Sequence, residues 1–160
     1  MFNKAQKTYS LEEAQAKLES YCAYQERCHQ EVEQKLRAMN MIPEAQEIII
    51  MHLLQHDFLN ESRFAQTYAR GKFNHKKWGK QRIVRELKFR NISEYNIKLA
   101  LKEITERDYL ITLDALAQKR FLQLASETNK QKKRKKLADY LLYRGWESHL
   151  VWEKVKELIG

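Results

Sequence analysis

The chain has 160 residues with only four Gly and one Pro, and it carries 30 Lys and Arg against 21 Asp and Glu. So few turn-formers argue against an all-β or α/β fold, whose hairpins and crossovers draw on them; plentiful Lys, Glu, Gln, Leu and Ala beside only four Val favour helix throughout. No run approaches the roughly 18 apolar residues that span a bilayer and Met1 to Ser10 holds no apolar leader core, so a cytoplasmic protein without membrane contact is expected.

Ser10-Leu11-Glu12-Glu13 reads as a capping box opening a helix with Ala14, Leu18, Tyr21 and Cys22 along one face. Cys22 and Cys28 match no zinc-ligand spacing and are expected as buried or half-buried free thiols in a reducing compartment. Val32 and Leu36 lie one turn apart, and Asn40 stands one turn further on, where a residue tolerant of the left-handed conformation ends a helix; Met41 then supplies the apolar contact of the cap. Pro43-Glu44 opens the next helix, carrying Ile50 and Leu53. His52 and His56 share a face of it, but Leu53 replaces the Glu that a zinc-hydrolase helix needs and no third ligand is evident, so a structural role is expected.

The same pattern then recurs twice. Asn60 is placed to cap a helix with Phe64, Tyr68 and Ala69; Ile83, Leu87, Asn91 and Ile92 repeat the earlier stop; Ser93-Glu94 opens a helix with Leu101 and Ile104. Thr112 is taken as the cap of a helix with Leu116, Ala117 and Phe121; Leu137, Leu141, Gly145 and Trp146 form the third stop; Glu147-Ser148 opens a helix with Val155 and Leu158. The stops lie 51 and then 54 residues apart. A tandem array of three helix-turn-helix-like modules follows, spanning 10–58, 59–107 and 108–160. Each is too small to bury its own apolar face, so stacking into an elongated, curved array is expected.

Charge divides unevenly: residues 1–58 are net −3, 59–109 net +7 and 110–160 net +5. Two concentrations stand out, Arg70 to Arg90 with nine basic residues against Glu86 alone, and Lys130 to Lys136 with six of seven positions basic. A polyanion is the natural partner. The candidate contacts are Arg70, Lys72, Lys76, Lys77, Lys80, Arg82 and Arg85 in the first segment and Lys132, Lys133, Arg134, Lys135 and Lys136 in the second. Trp78, among lysines, is read as a hydrophobic staple for the following helix, with stacking on a base as the alternative. Tyr143 and Trp146 are expected in the core beside Gly145, Arg63 in a local pair at its helix start, and Arg144 against helix-end carbonyls. Gly71 and Gly79, read as lying in separate turns, lack the Lys-Ser or Lys-Thr of a phosphate loop, and Ser62 has no patterned His and Asp, so neither an enzyme nor a bound cofactor is implied.

Asn60-Glu61-Ser62-Arg63-Phe64-Ala65, Lys77 through Leu87 followed by Asn91-Ile92-Ser93, and Leu141-Leu142-Tyr143-Arg144-Gly145-Trp146 resemble the bacterial recombination regulator RecX family in residues, order and spacing. The resemblance runs from about residue 10 to 160 and is densest between 58 and 104. Asn40 and Asn91 stand where the family usually has Gly, Cys28 near a usual Ser cap, and Lys80 at a frequent Pro. What the resemblance implies is a non-enzymatic, cytoplasmic, monomeric regulator that binds RecA and the RecA–DNA filament in its groove, most simply inhibiting recombinase, ATPase and coprotease activities in DNA repair, homologous recombination and the SOS response. Only weak, nonspecific binding to free nucleic acid is then expected. A helix-turn-helix transcription regulator, using the turn at Arg90 to Ser93, is the competing reading.

Overall fold

The computed structural model describes residues 7–160, and among them every regular element is an α-helix. In chain order these are α1 (Leu11–Tyr24), α2 (His29–Ala38), α3 (Pro43–Gln55), α4 (Glu61–Lys76), α5 (Lys80–Phe89), α6 (Glu94–Lys102), α7 (Glu106–Gln123), α8 (Lys130–Tyr143) and α9 (Ser148–Ile159).

The helix starts follow from side-chain caps. Ser10 Oγ accepts from Glu13 N at 3.1 Å, Asn60 Oδ1 from Arg63 N at 2.9 Å and Ser93 Oγ from Asn96 N at 3.2 Å, each satisfying an orphan first-turn donor. Cys28 offers less: Glu31 Oε1 receives its N–H at 3.5 Å and its Sγ at 3.2 Å. The repeated stops share one geometry. Asn40, Asn91 and Gly145 take φ of 59°, 60° and 90°, and the next residue donates back across the turn, Met41 to Leu36 O, Ile92 to Leu87 O and Trp146 to Leu141 O at 3.1, 3.1 and 3.2 Å. This is the Schellman closure, which needs a residue at ease with positive φ.

Three expectations are corrected. The cap of α7 is Thr105, whose Oγ1 accepts from Asp108 N at 3.1 Å; Thr112 lies inside the helix, which begins about two turns earlier than expected. Gly71 lies within α4 and not in a turn. On the third helices Leu53 and Val155 are buried as expected, but their buried partners are Ile49 and Val151, and α6 buries Ile97 and Ala100; Ile50, Leu101 and Leu158 are half-buried, and Ile104 is buried but lies past the end of α6.

The packing divides unequally. Ala14, Leu18, Cys22, Val32, Leu36, Met39, Ile49, Leu53 and Leu59 form one core under α1 to α3. A single larger core runs through α4 to α9, from Phe64 to Val155, and Cys28 reaches into it from the first unit. Arg63 also crosses that boundary, its Nε 2.5 Å from Glu26 Oε1 and its Nη1 2.9 Å from Asp57 Oδ2.

Two glycine turns lock the second unit to the third. Gly79 N donates to Arg144 O at 2.8 Å, Gln81 N to Gly145 O at 3.0 Å, and the indole of fully buried Trp146 to Lys77 O at 3.0 Å. A Cβ on Gly79 would overlap the Gly145 carbonyl, and one on Gly145 would overlap the Arg82 backbone. The missing side chains are therefore what lets the two backbones hydrogen-bond. Tyr109 braces the contact: its ring stacks on Trp146 at 4.4 Å, its hydroxyl accepts from Lys80 N at 2.8 Å and donates to Glu147 Oε1 at 2.5 Å. Burial, then that carboxylate, raises the phenol's pKa.

Cys22 and Cys28 are buried free thiols, and burial pushes each up to about 11. A thiolate-directed reagent at about pH 8 should label the native protein far more slowly than the denatured chain, since the thiolate is the nucleophile; comparably fast native labelling would contradict the packing. Because the folded values are raised, the thiols' contribution to stability is complete below the ordinary thiol range and is lost as pH climbs through about 11.

Candidate nucleic-acid interface

The cations of the first segment leave α4 and α5 in different directions. Arg70 is exposed and faces Glu103 at 3.7 Å, beside α6. Lys80 turns toward the junction, its Nζ 4.5 Å from the Tyr109 ring centre. Lys76, Lys77 and Arg85 are exposed and have no ion-pair partner among the described residues.

Lys72 and Arg82 belong to a continuous alternation of cations and rings. Arg90 lies 4.9 Å over Tyr68, Lys72 5.4 Å over Tyr68 and 5.0 Å over Trp78, and Arg82 4.1 Å over Trp78 and 5.0 Å over Tyr143. Beyond Tyr143 the pattern continues on Tyr140, with Arg144 at 3.9 Å and Arg120 at 5.0 Å. Each cation is held over a ring quadrupole; Arg90 is also paired with Glu86 at 3.1 Å, whereas Lys72, Arg82, Arg144 and Arg120 have no carboxylate partner among the described residues. The strip crosses the glycine junction, so the shared core under α4 to α9 sets the spacing of its two halves.

The half-buried Trp78 packs against the core between Lys72, Arg82 and the edge of Tyr68, which matches the staple and leaves its faces covered. Trp146 is in the core as expected, but Tyr143 is 72% exposed. Its position on the outer side of α8 keeps it in water. Arg63 pairs near its helix start as anticipated. Arg144 lies on Tyr140 instead of on helix-end carbonyls.

The second basic segment forms the first turns of α8, capped by Asn129. Lys132 is exposed, Lys133 lies 4.5 Å over Phe121, and Arg134 donates to the Gly160 backbone oxygen. Lys135 pairs with Asp139 at 2.7 Å and Lys136 with Glu127 at 2.8 Å. No acid occupies this first turn. Cations crowd the positive end of a helix dipole there, and among the described residues only Glu127, just before the cap, offsets them at that end, accepting from Asn129 N at 3.3 Å. At a rise of ~1.5 Å per residue, Lys132 and Tyr143 are roughly 16 Å apart along α8.

Sequence reasoning had not counted Tyr68, Arg90, Arg120, Tyr140, Tyr143 and Arg144 as site residues. The Tyr68–Lys72 and Tyr140–Arg144 pairs have a four-residue helical spacing that was there to be read. The Arg82–Tyr143 and Arg90–Tyr68 contacts had no such signal.

Elsewhere, His52 Nε2 lies 2.9 Å from Glu19 Oε1, with the His56 ring at 4.4 Å. No group of three or more metal-ligating side chains occurs among the described residues, and no helix among them is long and apolar enough to cross a membrane. Asn96, on the helix that follows the turn at Arg90 to Ser93, donates to Glu61 Oε2 at 2.5 Å and so is occupied within the protein.

Comparison with known proteins gives a consistent result. Residues 60–101 match the family description "RecX, second three-helix domain", and residues 107–155 match "RecX, third three-helix domain". A curated relative from Clostridium acetobutylicum, named regulatory protein RecX, is 32% identical over 133 residues, covering 81% of this chain and 61% of its own length. One of the same name from Yersinia enterocolitica is 33% identical over 104 residues, covering 65% of this chain and 60% of its own length. The chain thus spans about 60% of these relatives. A crystal structure of regulatory protein RecX superposes with a TM-score of 0.81 at 24% identity, over 92% of this chain and 73% of that one. The crystal structure of RecX from Lactobacillus salivarius gives 0.78 at 25% identity, over 92% and 96%.

Proposed function

The chain belongs to the RecX family of regulatory proteins, and on that premise we propose that it binds RecA and the RecA–DNA filament through the second and third units and inhibits recombinase, ATPase and coprotease activities without catalysis of its own. It acts as a monomer in the cytoplasm. The observation that carries this reading is the cation and ring strip running from Arg90 to Arg120 across a rigid junction. A filament groove presents DNA phosphates and acidic protein surface side by side, and a row of fixed cations meets both. The basic first turn of α8 extends the same positive field, with Lys132, Lys133, Arg134, Lys135 and Lys136 as further contacts beside Lys72, Lys76, Lys77, Lys80, Arg82 and Arg85; Arg70 faces another way.

The test is RecA's DNA-dependent ATP hydrolysis and strand exchange with and without the protein. Both should fall on its addition, and the protein alone should hydrolyse no ATP. Selection from random duplexes should return no sequence motif. A strong motif with RecA's ATPase untouched would transfer the reading to a transcription regulator.

Charge reversal tests the surface. Lys76→Glu, Lys77→Glu and Arg85→Glu together, or Lys132→Glu, Lys133→Glu and Lys135→Glu together, should weaken filament binding at least tenfold and flatten its salt dependence. Folding stability should change by only about 0.5 kcal/mol at each exposed site, and by somewhat more at the half-buried Lys133. Filament binding equal to the parent's at both low and high salt in both triples would remove the electrostatic basis.

A further inference from the structure

We propose that the depression between the end of α7 and the C-terminal half of α8 seats one nucleotide of a single-stranded polynucleotide, its base on the open face of Tyr143 and its phosphate at Arg144 and Arg120. This rests on the reading that the strip meets nucleic acid, and assigns to one part of it a chemical class and a stacking residue.

The depression holds about 720 Å³ and is lined by Arg120, Lys136, Tyr140, Leu142, Tyr143 and Arg144, within the size range of small-ligand sites. Three rings lie on this part of the strip, and two are already covered. Trp78 has Lys72, Arg82 and the edge of Tyr68 against it, and Tyr140 has Arg144 and Arg120. Tyr143 has only Arg82, at 5.0 Å over its ring, and stays 72% exposed. Arg82 also reaches the Tyr143 carbonyl at 3.4 Å, so the ring is steadied from one side and open on the other.

The anion-binding half is equally specific. Arg120 donates from Nη1 to Gln123 at 3.3 Å, and its buried Nε has no acceptor among the described residues, so it is the guanidinium's outer nitrogens that face the depression's rim. Arg144 has no carboxylate partner among the described residues. The one acid on the rim, Asp139, is held by Lys135 at 2.7 Å. A flat π-face next to two guanidinium groups is the combination that single strands exploit, a base on the ring and the backbone on the cations. A duplex keeps its bases stacked inside and offers the same place only phosphates, so Tyr143 discriminates between the two.

The experiment measures fluorescence anisotropy of labelled oligo-dU, oligo-U and a duplex of equal length, without RecA. Tyr143→Ala is expected to weaken single-strand binding about tenfold, within the range that one base stack supplies, and to leave duplex affinity within twofold. Tyr143→Phe should bind like the parent, because the ring and not the hydroxyl stacks. Tyr24→Ala, at a ring 84% exposed on α1 with no cation over it, is the surface control and should change nothing. The tighter of the two single strands identifies the sugar that the site takes. Equal loss on duplex and single strand, no loss in Tyr143→Ala, equal loss in Tyr143→Phe, or no single-strand binding by the parent would each overturn the site. If the parent alters RecA's ATPase but Tyr143→Ala binds single strands normally, only this site falls. If the ATPase is untouched and the selective loss appears, the RecA reading falls and the nucleotide site stands.

Discussion

Gly145→Val should break the contact between the second and third units and destabilise the protein by about 4 kcal/mol or more, at the extreme of single substitutions. Gly145 sits at φ 90°, where a β-branched residue is strained, and a Cβ there meets the backbone nitrogen, Cα and Cβ of Arg82. Relief requires moving α5 away from the turn. That motion strips the Gly79 to Arg144 and Gln81 to Gly145 hydrogen bonds, at ~1 kcal/mol each, and uncovers Trp146, which is fully buried against Tyr109. Chemical denaturation followed by tryptophan fluorescence measures the loss. Gly71→Ala is the counterpart: nothing lies within 4 Å of the added Cβ and the residue is inside α4, so a gain of roughly 0.5 to 1 kcal/mol is expected from helix propensity. A Gly145→Val midpoint within about 1 kcal/mol of the parent's would mean that the glycine junction does not hold the units together.

Leu87→Asp is expected to unfold α4 to α9 as one block. Leu87 is fully buried in the larger core and its carbonyl closes the α5 stop by accepting from Ile92 N at 3.1 Å. Truncation to Ala alone removes about 2 to 5 kcal/mol at such a position, and a carboxylate adds the cost of burying an unpaired charge. Since one core runs through both units, the third cannot keep its packing when the second is lost. Circular dichroism should show helix lost well beyond the ten residues of α5, in a single transition. A surviving, separately melting third unit would show that the two cores are independent. The separate core under α1 to α3 sets the limit of the effect, and residual helix there is the expected remainder.

Much of this architecture was legible because its determinants are short-range. The stops at Asn40, Asn91 and Gly145 are closed by hydrogen bonds between residues three and five apart, so a tolerant residue flanked by apolar ones at fixed offsets carries the whole instruction. The caps at Ser10, Asn60 and Ser93 are equally local. Thr105 and Thr112 show the limit of that logic. Both are competent caps, and only the earlier start puts Tyr109 into the helix that packs it on Trp146, at 4.4 Å. The tandem helical array, the stop positions and the basic character of the second and third units therefore came from the sequence itself. Tertiary structure alone decided that these two units share one core, that Gly79 and Gly145 meet, and that Arg82 reaches Tyr143 across 61 positions. Such contacts depend on how whole helices pack, an outcome summed over many side chains, and no local spacing encodes which of several exposed cations will come to lie beside which ring.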